Sequence, residues 1–116
     1  MLYEKPVIIT DVKIIKLKKQ KLAAQKEYNR HIQNMVQPKL KGFNPELFVR
    51  IELVIATSGE IIRVEILEES ISNAFNQAVL LSIRNANLLP LPNALADNPP
   101  YIVTIRFIPF IPSNNN

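Results

Sequence analysis

A chain of 116 residues with 47% apolar content fits one folded domain around a single core, and excludes both a second ordinary domain and global disorder. The absence of cysteine excludes disulfides and thiolate metal sites, and two glycines, Gly42 and Gly59, are too few for a glycine-rich phosphate loop. Net charge is +4 but lopsided: residues 1–41 hold ten Lys/Arg against three Asp/Glu and the remainder four against seven, the pattern of a basic arm or helix on a neutral body.

Residues 1–17 read as an extended lead-in or linker stub. Pro6 disfavours helix at Lys5, and Val7, Ile8, Ile9 and Thr10 form a β-branched run. Asp11, Lys13 and Lys16 interrupt the apolar stretch, so nothing approaches the ~20 apolar residues of a transmembrane helix. The stretch also lacks the layout of a signal peptide. From about Lys18 the pattern turns helical: Lys, Gln, Leu and Ala dominate, and Tyr28, Ile32, Met35, Val36 and Leu40 make one apolar stripe of period 3.6. Pro38 weakens the last turn and Gly42 is a natural stop.

Leu47–Ala56 alternates, with Val49, Ile51, Leu53 and Ile55 on one side. Thr57-Ser58-Gly59-Glu60 is a turn, and Ile62, Val64 and Ile66 then alternate with Arg63 and Glu65, so a β-hairpin is expected. Ser70 or Ser72 is placed to cap a second helix carrying Phe75, Ala78, Val79, Ser82, Ile83 and Ala86 on one face, ending by Leu88–Leu89 before Pro90 and Pro92. Asn93–Pro100 reads as a connector. Tyr101–Ile108 reads as a third strand, closed by Pro109 and Pro112, and 113–116 as a disordered polar tail. The expected fold is α+β: a two-layer domain over 18–112, with helices on one side of a three-stranded antiparallel sheet, in the order helix-strand-strand-helix-strand.

Catalytic signatures are thin. His31 is the only histidine; its neighbours along the helix are Glu27, Asn34 and Met35, and a solvated or packing role is expected. Arg50, Arg63 and Arg106 look matched by Glu52 and Glu65 in cross-strand ion pairs on a solvated face. No catalytic residue, cofactor site or metal site is expected, and the chain is not expected to be an enzyme. Sparse aromatics around the strands make a nucleic-acid partner the weakest of the binding readings. A three-stranded sheet does have two edges with unpaired backbone groups, to which an extended peptide can add.

Several segments, in the right order, resemble the C-terminal domain of TolA in the wider TolA/TonB superfamily. Tyr28–Val36 is similar to that family's opening helix and Phe48–Ile66 to its hairpin. Ala74-Phe75-Asn76-Gln77-Ala78-Val79 is similar to its second helix. Leu89-Pro90-Leu91-Pro92 resembles its Pro-Leu-Pro motif, and Ile105–Pro109 its closing strand. The chain has no Trp, so the Trp-containing element of TonB itself is missing, and the TolA side is favoured. The resemblance implies a non-catalytic periplasmic adaptor, tethered to the inner membrane through an N-terminal anchor in the full-length protein. It would couple inner-membrane energy to a periplasmic or outer-membrane protein by β-strand addition, with a bacteriocin or phage protein as a second kind of partner. On this reading the partner-binding edge is Tyr101, Ile102, Val103, Thr104, Ile105, Arg106 and Phe107. A structural subunit of an envelope or secretion assembly is the alternative, and a small RNA-binding α/β domain the more distant one.

Overall fold

A computed structural model describes the backbone of residues 4–111 and the side chains of 18–111. Helix α1 spans Glu4–Val36 and tightens into a 3-10 turn at Gln37–Lys39, where Pro38 denies the α-helix its next amide. Strands β1 (Val49–Ile55) and β2 (Ile61–Glu68) form the hairpin. Helix α2 (Asn73–Arg84), a short helix α3 (Asn93–Ala96) and strand β3 (Tyr101–Phe107) complete the order. The sheet is antiparallel with strand order β2-β1-β3, so the α+β expectation holds.

Three local expectations are corrected. From Glu4 onward the lead-in expected to be extended is helical. Pro6 falls in the first turn, where an amide has no intrahelical partner in any case, and Val and Ile cost a helix only tenths of a kcal/mol. Helix α2 ends at Arg84 rather than near Leu88, where the Asn85 amide donates to the Leu81 carbonyl and the Ala86 amide to the Ile83 carbonyl. The connector contains α3, which turns Leu95 into the core. The expected disordered tail at 113–116 lies outside the described residues.

The core is built on β1. Val49, Ile51, Leu53 and Ile55 are wholly buried, while the residues between them point to the uncovered face of the sheet. Tyr28, Ile32, Val36 and Leu40 press onto this surface from α1 and its 3-10 turn, Phe75, Val79 and Ile83 from α2, and Tyr101, Ile105 and Phe107 extend it along β3. Burying each large side chain stabilises the fold by roughly 1.5–3 kcal/mol. Ser72 caps α2 by accepting the Phe75 amide at 3.1 Å. Asn76 is buried but satisfied: its Oδ1 accepts the Ser70 amide at 2.9 Å and its Nδ2 donates to the Ser70 carbonyl at 3.1 Å.

The helical layer does not reach across the whole sheet. Val64 faces the helices opposite Leu53 yet stays 38% exposed, beside a cleft of about 540 Å³ lined by Ile61, Leu80, Ile83, Arg84 and Leu88.

Two glycines have positive φ but different surroundings. Gly59 (φ 94°) lies in the hairpin turn, where a Cβ would come within 2.6 Å of the Leu88 and Leu89 carbonyl oxygens. The Leu91 amide donates to the Thr57 carbonyl at 2.9 Å and holds that strap over the turn. Gly42 (φ 83°) has nothing within 4 Å of its would-be Cβ. Gly42→Ala should therefore cost only the left-handed backbone term, about 1–2 kcal/mol, whereas Gly59→Ala adds overpacking and should cost about 3 kcal/mol or more. Urea denaturation of the two variants checks the difference.

Candidate functional site at a sheet edge

Strand order alone puts β2 and β3 on the two edges, but the edges are unlike. The β1–β2 register shifts twice, between Arg50 and Ile51 and between Val54 and Ile55, leaving Leu67 and Ile62 as the extra residues of β2. Bulges bend an edge and spoil it as a template for further pairing. Strand β3 pairs with β1 residue for residue from Val49↔Phe107 to Ile55↔Tyr101 without a shift. Seven regular residues present about 23 Å of open ladder. Pro99 and Pro100 precede that ladder and Pro109 follows it, so residues lacking an amide N–H bound it at both ends.

The seven residues divide by face. Tyr101, Ile105 and Phe107 are buried against the helices and Val103 is half-buried on the same side. Ile102, Thr104 and Arg106 stand on the open face, Ile102 58% exposed. What β3 offers is therefore its backbone edge and three side chains, an apolar, a hydroxyl and a cationic one, two residues apart.

The electrostatics of the open face differ from the sequence expectation. Glu52 and Glu65 do not pair with arginines across the strands; they lie opposite each other. Arg63 reaches along its own strand to Glu65 at 2.7 Å, and Arg50 crosses to Glu68 at 3.2 Å. Arg106 stands opposite Arg50 and has no carboxylate partner among the described residues. Its guanidinium instead lies 4.3 Å from the centre of the Phe48 ring. Phe48, just before β1, is the contact that residue spacing could not reveal, because only the β1–β3 register brings it under Arg106.

The start of β3 is fixed from the helical side. The Tyr101 hydroxyl donates to Asn29 Oδ1 at 2.9 Å, and the Tyr28 hydroxyl donates to the Leu89 carbonyl at 2.6 Å. The Leu89 amide in turn donates to His31 Nε2 at 3.0 Å, which requires an unprotonated nitrogen there. His31 is thus a packing residue that accepts from the proline-rich strap, as its isolation in the sequence implied. The two tyrosine rings meet edge to face at 5.9 Å. The described residues contain no grouping of three or more His, Asp or Glu able to hold a metal ion.

The sequence profile of the TonB C-terminal family matches residues 25–107, from the second half of α1 to the last residue of β3. No curated protein matches the chain.

Burial, then the neighbouring Tyr101, raises the Tyr28 pKa above its ordinary value; burial raises that of Tyr101, with the Asn29 hydrogen bond opposing. Both folded-state values lie above the unfolded ones, so this contribution to stability is complete below about pH 10 and is lost as pH rises through the folded values. Thermal denaturation between pH 8 and 12 should show an alkaline fall in stability that is shallower in the double variant Tyr28→Phe/Tyr101→Phe.

Proposed function

The chain belongs to the TonB C-terminal family, a family of periplasmic, non-enzymatic energy-transduction domains that bind protein partners, and on that premise we propose that β3 is where this one takes its partner. An extended segment of a periplasmic or outer-membrane protein adds as a fourth strand beside Tyr101–Phe107. Backbone hydrogen bonds supply the affinity and the open-face side chains supply the selectivity. Inner-membrane energy reaches the domain through a tether that precedes it in the full-length protein. The Leu89-Pro90-Leu91-Pro92 strap and the Ala74–Val79 helix favour the TolA branch of the superfamily, and with it bacteriocin or phage proteins as competing ligands.

One observation carries this reading: of the two sheet edges, β3 alone is unbulged over its full length. A partner strand needs a regular template, and the fold supplies it where no helix or loop of the described residues pairs with it. A structural subunit would instead use an edge permanently, as an interface between copies or within an assembly.

Amide NMR titration of the chain with extended peptides from outer-membrane and periplasmic partner candidates separates the two. Shifts confined to Tyr101–Phe107 and their β1 neighbours, in a protein that is monomeric by light scattering, are expected. No shift with any peptide, together with a stable oligomer, would overturn the adaptor in favour of the structural subunit.

A further inference from the structure

The open face of the sheet is organised in rows across the strands, and each row ends at β3. The first runs Glu68, Arg50, Arg106. Its inner arginine is committed to Glu68, so the row ends on a cation compensated by no carboxylate among the described residues. The Phe48 ring beneath the guanidinium fixes where that charge stands. The second row runs Glu65, Glu52, Thr104: Arg63 engages Glu65, Glu52 has no ion-pair partner among the described residues, and the row is net negative at its β3 end. The third runs Arg63, Val54, Ile102 and ends on an exposed aliphatic side chain.

A strand laid beside β3 continues each row by one residue. From this geometry we infer that the partner segment carries a carboxylate opposite Arg106 and an aliphatic, preferably β-branched, residue four positions away opposite Ile102. No carboxylate stands opposite Thr104. The inference rests on strand addition at β3 and adds the chemistry of the added strand. Opposite charges directly across a strand pair attract, like charges repel, and apolar side chains at the same position pack. The negative row between the two contacts makes the pattern a register code, because sliding the carboxylate by two residues moves it from Arg106 into the field of Glu52. A polar segment lacking the aliphatic residue would leave Ile102 in water.

Three capped peptides test this in NMR titrations: Thr-Asp-Thr-Thr-Thr-Ile-Thr, its reverse Thr-Ile-Thr-Thr-Thr-Asp-Thr, and the shifted Thr-Thr-Thr-Asp-Thr-Ile-Thr. One of the first two should bind at β3, and which one reads out the direction of the added strand. The shifted peptide should bind about threefold or more weakly. Arg106→Glu should weaken the acidic peptide by about fivefold and restore binding to the same peptide with Lys in place of Asp. A role of Arg106 in packing alone would not produce that exchange. Ile102→Thr should weaken all the peptides alike. Equal binding of all three with no effect of Arg106→Glu, but with β3 shifts intact, would overturn the inferred pattern and leave strand addition standing. No β3 shift with any peptide would overturn both.

Discussion

Four side chains of one strand shut water out of this molecule. Val49, Ile51, Leu53 and Ile55 are buried from end to end of β1, and the positions of the other elements follow from that. A strand with one fully dry face needs a partner on each side to satisfy its backbone, which gives the hairpin with β2 and the return of β3. It also needs a roof, supplied by the Tyr28-Ile32-Val36-Leu40 stripe and by Phe75, Val79 and Ile83. The other face of β1 carries Arg50, Glu52 and Val54, so the domain has one dry side and one side left open. Two layers with a single covered face are what a chain of this size can bury.

The two edges show how the same constraint produces different surfaces. Strand β2 is half-roofed: Val64 turns toward the helices but meets the mouth of a cleft, and the strand carries both bulges. Strand β3 is tied down by Tyr101 to Asn29 and sealed by Ile105 and Phe107, and it stays regular. Good support from beneath thus coincides with a clean backbone edge. In a binding element, that combination means the ladder is already formed before a partner arrives, so little ordering entropy opposes binding.

Much of this was legible in the residues. The alternation in Val49–Ile55 and the Ser-Gly turn fixed the hairpin because strand period and turn chemistry agree there. The stripe from Tyr28 to Leu40 fixed the buried part of α1 for the same reason. The edge position of β3, and hence the candidate partner-binding residues, was reached through family resemblance rather than periodicity; the family match over 25–107 bears out membership of the TolA/TonB superfamily and does not choose between its branches. Other features were not legible for definite reasons. Bulges at Ile62 and Leu67 shift which side chains share a face, and alternation alone carries no sign of them. The helical start of α1 hid behind a proline, tolerable in a first turn, and a β-branched run, which costs a helix only tenths of a kcal/mol per residue. The ion pairs were misassigned because they depend on register: a slip of two residues decides whether Arg106 meets Glu52 or, as found, Arg50 and the Phe48 ring.

The β1–β3 pairing joins residues roughly fifty positions apart, and the Tyr28–Leu89 and Asn29–Tyr101 bonds span similar or greater distances. Contacts of such long range are costly to close, so the hairpin and α2 can form locally while the fold as a whole waits for β3. Until the residues up to Phe107 dock, β1 has one satisfied edge and one bare edge. Closing the sheet is the capture of an extended segment by an open edge of β1. The outer edge that β3 then displays is again an open backbone ladder, with Ile102, Thr104 and Arg106 where β1 carries Val54, Glu52 and Arg50.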